Sequence, residues 1–103
     1  KKQKIEEKKY TKWFDYDKIK NSPCVRTRRQ GDYLTVNSEG GRKKLNRIFI
    51  DEKIPAEMRD RLPVVAAGSE ILWIPGGRMN EKYKITSTTG RVLELHYQGG
   101  VLT

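Results

Sequence analysis

The sequence predicts an α+β domain, with short strands paired mainly antiparallel and two short helices between them. Three observations carry this. Apolar and polar residues alternate over short runs, as in Leu93-Glu94-Leu95-His96-Tyr97, and period two marks a half-buried strand. Turn signals such as Asn21-Ser22-Pro23, Gly31-Asp32 and Gly68-Ser69 recur between those runs,. One stretch, around Leu45 to Phe49, changes to helical spacing,.

Residues 1–9 read as a linker or the end of a preceding helix, 10–97 as the domain, and 98–103 as a frayed tail,. Tyr10, Trp13, Phe14 and Tyr16 suit a strand whose rings cover a sheet,. Cys24 to Arg28 alternates, which places Val25 and Thr27 on one side and Arg26 and Arg28 on the other,. Tyr33 to Val36 is a further strand, and Asn37 to Gly41 a loop. Gly40 and Gly41 release the backbone into a helix that starts with Arg42-Lys43-Lys44. At about 100° per residue, Leu45, Ile48 and Phe49 share one face, with Lys43 and Arg47 opposite,. Pro55 is expected to end that helix and to open a second one reaching Leu62. Met58 and Leu62, at i and i+4, would face the core. Val64–Ala67 and Ile71–Ile74 form a hairpin around Gly68-Ser69-Glu70, and Tyr83–Thr86 and Arg91–Tyr97 flank another turn, Ser87 to Gly90,.

At 103 residues with 35% hydrophobic and 34% charged, the chain supports one modest core under a strongly ionic surface. Its 22 Lys+Arg against 13 Asp+Glu give a net charge of +9. Such an excess calls for a polyanionic partner. Nucleic acid comes ahead of an acidic membrane, since no long helix carries one basic and one apolar face, and no apolar run nears the ~20 residues of a span. The single cysteine, Cys24, cannot form an internal disulfide, which agrees with a cytoplasmic location. The start Lys1-Lys2-Gln3, without methionine, suggests a domain excised from a longer protein.

Catalytic chemistry is not evident. Nothing in their spacing brings Cys24 and His96 together; a packed thiol and a solvent-facing imidazole are expected. One Cys and one His cannot supply a four-coordinate zinc site. Asp15 and Asp17, two apart, suit solvent exposure or turn capping better than a metal. Pro75-Gly76-Gly77-Arg78 offers backbone amides that suit a small anion, but no phosphate-loop fingerprint accompanies it,. Neither a catalytic residue, nor a metal site, nor a cofactor is therefore assigned to this chain.

The cations are more informative. Arg26, Arg28 and Arg29 form one cluster; Arg42, Lys43, Lys44 and Arg47 a second; Arg59 and Arg61 a third; Arg78 and Lys82 a fourth. Guanidinium groups fork onto phosphate oxygens. Taken alone, the first cluster fits a solvated sheet face paired to Asp32 or Glu39 equally well. Four clusters beside turns and helix ends favour a phosphate-binding surface. Asp60 is read as orienting its neighbours Arg59 and Arg61. Trp73, Phe49 and Ile48 are read as core, and an exposed Trp13 as a stacking platform.

Four blocks carry a family resemblance: Arg-Thr-Arg-Arg-x-Gly-Asp at 26–32, Lys-Lys-Leu-x-x-x-Phe-Ile-Asp-x-Lys-Ile-Pro at 43–55, Arg-Asp-Arg-Leu-Pro at 59–63 and Ile-Leu-Trp-Ile-x-Gly-x-Arg at 71–78. In this order the chain resembles, over about residues 10–97, the C-terminal domain of bacterial tRNA(Ile)-lysidine synthetase. The resemblance implies a compact, β-sandwich-like α+β fold with flanking helices, similar to a domain of the phenylalanyl-tRNA synthetase β subunit. It implies a docking role on the tRNA acceptor stem. The parent enzyme's N-terminal domain, with ATP and Mg, attaches lysine to the wobble cytidine of the CAU anticodon. The Ser-Gly-Gly-x-Asp-Ser loop of that catalytic domain is absent here. The partners implied are the isoleucine tRNA and the enzyme's own N-terminal domain, and a homodimeric parent is left open. The competing class is an interaction module that packs on its parent enzyme or dimerises through Tyr10–Tyr16, with its basic face merely solvated.

Overall fold

A computed structural model describes residues 10–97. The expected linker at 1–9 and tail at 98–103 lie outside the described residues. Strands β1 (Thr11–Asp15) and β7 (Val92–His96) form an antiparallel two-stranded ribbon. Strands β2 (Cys24–Arg26), β3 (Tyr33–Thr35), β4 (Arg42–Lys44), β5 (Val64–Ala67) and β6 (Glu70–Trp73) form a five-stranded sheet in the order β2-β5-β6-β3-β4. Its pairs are antiparallel except β3 with β6. Helices α1 (Leu45–Asp51) and α2 (Ala56–Arg59) join β4 to β5. The expected α+β class, with mainly antiparallel strands and two short helices, is what the chain adopts.

The core has two layers separated by the sheet. Leu34, Val64, Ala66, Ile71 and Ile74 pack on Leu45, Ile48 and Phe49 of α1. Val65, Ala67, Leu72 and Trp73 pack on Phe14 of the ribbon and on Tyr83, with Leu93 and Leu95 half-buried beside them. This explains why Val64-Val65-Ala66-Ala67 is apolar at every position: β5 is covered on both faces,. Leu72 and Trp73 are sequence neighbours on the same side. Trp73 lies opposite Val65 and Ile71 opposite Ala66, so Leu72 is an extra residue. A bulge of this kind turns two successive side chains to one face.

Several boundaries differ from those expected, each for a local reason. Arg42–Lys44 is strand, not helix, because it pairs with β3 in the register Leu34↔Lys43. Helix α1 therefore begins at Leu45, whose N–H donates to Asp32 O at 2.9 Å. It ends at Asp51, ahead of Pro55. Lys53 takes φ 61°, Ile54 N–H donates to Phe49 O, and Lys53 N–H donates to Ile50 O. This pair of bonds is a Schellman termination, and Ile54 packs against the cluster that contains Phe49,. Pro55 then sits at the N-cap of α2. That helix stops at Arg59, although the chain still turns so that Leu62 packs against the core.

Residues 81–83 form a 3-10 turn in place of the expected strand at Tyr83, because Asn80 caps it through the Lys82 N–H. On β2 the alternation is reversed. Val25 is 58% exposed at the sheet edge, whereas the Arg26 side chain is only 9% exposed. Cys24, expected to be packed, is exposed on this edge strand.

Candidate nucleic-acid interface

Strand alternation divides the run Arg42-Lys43-Lys44 between two faces of the sheet. Lys43, in register with Leu34, belongs to the α1 side, while Arg42 and Lys44 belong with Thr35 and Tyr33 to the other. Two groups of cations result.

The first surrounds α1. Lys43 Nζ and Arg47 Nε both pair with the carboxylate of Asp51. Arg47 is 3.2 Å from it, one helical turn away,. The hydrogen bond from Lys43 holds the Asp51 carboxyl below its ordinary range, with Lys43, Arg47 and Arg78 adding charge attraction against some desolvation,. On the same helix, Asn46 Oδ1 accepts from Arg28 at 2.6 Å, and Arg28 Nε donates to Asp60 Oδ1 at 2.8 Å. Arg28, Lys43 and Arg47 are thus tied around one short helix anchored by Leu45, Ile48 and Phe49, and Arg78 adds positive charge near Asp51. Their pairs are at least partly exposed. Surface pairs of this sort are screened by water and contribute little, so phosphate oxygens can replace the carboxylates with little penalty.

The second group lines a groove of about 500 Å³ bounded by Lys18, Thr35, Asn37, Arg42, Lys82 and Thr86. Arg42 lies over the Tyr33 ring at 4.7 Å from its centroid, and Lys82 Nζ is 3.8 Å from Glu70. Three cations set among hydroxyls, an amide and one carboxylate, Glu81, suit a sugar-phosphate chain: charge for phosphate, hydroxyls for ribose,.

Arg29, Lys44 and Arg61 are exposed. Arg59 is half-buried and donates through Nε to Ile54 O. Asp60 pairs with Arg28 rather than orienting Arg59 and Arg61. Arg26 points inward. It donates through both terminal nitrogens to Asp32 at 2.9 and 2.8 Å and also to Gly68 O at 2.8 Å. Asn46 and Lys18 were not singled out from sequence. Asn46 follows the basic run on the wet side of the helix, a signal that was present; Lys18 joins its groove only through tertiary structure.

Cys24 and His96, for which spacing suggested no proximity, both line a hollow of about 130 Å³ with Trp73 and Tyr97. They do not form a nucleophile–base pair there. His96 Nδ1 is 2.9 Å from Thr11 Oγ1, and its Nε2 is 2.7 Å from Glu94, so both ring nitrogens are occupied. Asp15, which is buried, accepts from Asp17 N–H and from Thr89 Oγ1, so it caps a turn. Arg91 takes up Asp17.

Comparisons with known proteins show the family. The family model described as TilS substrate C-terminal domain matches residues 24–95. The tRNA(Ile)-lysidine synthase of Caldanaerobacter subterraneus subsp. tengcongensis is 50% identical over 88 residues, covering 85% of this chain and 19% of that protein. The Clostridium tetani tRNA(Ile)-lysidine synthase is 41% identical over 90 residues, covering 87% and 19%. The chain therefore spans about a fifth of the length of these relatives. A crystal structure of a TilS C-terminal domain superposes with a TM-score of 0.66 at 30% identity, covering 87% of this chain and 72% of that one. With a family match over most of its length and a solved relative of the same fold, this chain belongs to the TilS substrate C-terminal domain family.

Proposed function

We propose that this chain docks tRNA for a tRNA(Ile)-lysidine synthase, gripping the acceptor stem while the enzyme's N-terminal domain acts at the anticodon. In that enzyme the N-terminal domain, with ATP and Mg, attaches lysine to the wobble cytidine of the CAU anticodon in the cytoplasm. The observation that carries this is the set Arg28, Lys43 and Arg47, arranged around α1 and balanced by exposed carboxylates that phosphate can displace, with Arg78 adding charge near Asp51. An A-form stem hides its base edges in a deep groove, so a rigid basic surface that matches backbone spacing is the suitable reader. Function is then positional: docking fixes where the anticodon lies relative to the catalytic domain, and no bond is made here.

The test is binding of a blunt acceptor-stem RNA hairpin across a salt series. Neutralising about five phosphates gives log K against log salt a slope of roughly −3 to −5. Lys43→Ala, Arg47→Ala and Arg78→Ala each flatten that slope by about one. A flat salt response, or slopes unchanged in all three variants, contradicts the proposal.

A further inference from the structure

A second hollow, of about 310 Å³, lies beside the ribbon, lined by Thr11, Lys12, Trp13, Met79, Lys84 and Ile85. Trp13 is 47% exposed and Ile85 47%. None of the lining residues is acidic, and two are lysines. Lys84 pairs only with Glu81, at 2.9 Å, among the contacts of the described residues, and an exposed pair of that kind is readily exchanged. The segment 82–86 joins this hollow to the polar groove. It gives Lys82 and Thr86 to the groove and Lys84 and Ile85 to the hollow. A polyanionic strand leaving the groove thus meets an open aromatic face flanked by cations.

We infer that this hollow seats an unpaired nucleotide of RNA, its base stacked on the Trp13 indole and its phosphate against Lys84. The inference rests on the RNA-binding function proposed above and deepens it: besides a duplex surface, the domain has a single-strand site. Aromatic platforms with neighbouring cations suit unpaired bases, since every base presents a π face. A paired stem offers no such face to a side chain, so the site selects for an unpaired end or overhang.

The two tryptophans make the test direct, because Trp73 is fully buried while Trp13 is open. The chain is titrated with the acceptor-stem hairpin in blunt form and with a four-nucleotide single-stranded 3′ overhang. Tryptophan emission and affinity are read together. The overhang is expected to quench Trp13 emission and to tighten binding, and the blunt hairpin to leave emission unchanged. Trp13→Ala weakens overhang binding about tenfold, within the range for loss of one base stack, and leaves blunt binding as it was. Trp13→Phe keeps most of the affinity but abolishes the quench, since only Trp73 remains. Lys84→Gln flattens the salt slope for the overhang RNA alone. Blunt binding without any gain or quench from the overhang overturns this inference and leaves the docking function standing. Failure of both RNAs overturns both. A shift of Trp13 emission with protein concentration in the absence of RNA would instead mark the face as a contact between copies of the chain, and would also overturn it.

Discussion

Arg26 and Asp32 form a two-pronged ion pair inside the domain, 2.9 and 2.8 Å between guanidinium nitrogens and carboxylate oxygens. Their side chains are 9% and 2% exposed. Asp32 is a junction. Its carboxylate also accepts the Arg29 N–H at 2.7 Å, and its carbonyl receives the Leu45 N–H that starts α1. Arg26 reaches on to Gly68 O at the β5–β6 hairpin. The pair therefore links the edge strand, the turn before β3, the basic helix and the central hairpin. The hydrogen bond to Asp32 raises the Arg26 pKa above its already high ordinary value, so the guanidinium stays charged throughout the folded range.

Removing one partner leaves the other charged and poorly solvated. Asp32→Ala and Arg26→Ala are each expected to cost about 3 kcal/mol of folding stability, read as a lowered urea midpoint. The double variant should lose less than the sum, because the two acts remove one interaction. If Arg26→Ala left stability unchanged but weakened RNA binding as much as Lys43→Ala, Arg26 would be a phosphate ligand and the structural role would be wrong.

Lys53 holds a left-handed conformation, φ 61°, at the position after the α1 cap where glycine is usual,. Its Cβ is crowded there, at roughly 1 kcal/mol. Lys53→Gly should raise stability by up to about 1 kcal/mol, offset in part by the greater freedom of the unfolded chain. A midpoint that falls by a similar amount in thermal melts would show that Lys53 makes a compensating contact.

Tyr83 is buried with its hydroxyl donating to Glu70 Oε1. Burial, then this hydrogen bond to a carboxylate, pushes its pKa well above the ordinary value of 10.0,. The folded pKa exceeds the unfolded one, so the stabilisation is fully present below pH about 10 and is lost as pH rises from there toward the folded pKa. Stability measured by denaturant should therefore decline above pH about 10 in the native chain. In Tyr83→Phe that alkaline decline should be shallower, with stability lower by about 1 kcal/mol at neutral pH. Equal alkaline slopes in both would contradict the assignment.

What was legible in the sequence follows from which interactions are local. The α1 apolar face, the β5–β6 hairpin and the β7 alternation rest on spacing within a few residues, and all three are present. The inward turn of Arg26 was not legible, because it depends on Asp32 and on Gly68, 42 residues away. The strand at Arg42–Lys44 was missed for a similar reason: its partner β3, not its own composition, makes it a strand. The early end of α1 needed a left-handed lysine, and glycine is the residue that signals such a stop. For the candidate interface, composition gave the cations, but only the sheet register shows that Lys43 and Arg42 serve opposite faces.

The central claim, that this domain docks a particular tRNA by its stem, is tested most directly by binding of the chain to the CAU-anticodon isoleucine tRNA and to initiator methionine tRNA over one salt series. These two share a CAU anticodon, so a difference between them reports contacts elsewhere on the tRNA. The expected result is salt-dependent binding of both with a preference for the isoleucine tRNA that persists as salt rises. Absence of binding at low salt, or binding insensitive to salt, would contradict the claim.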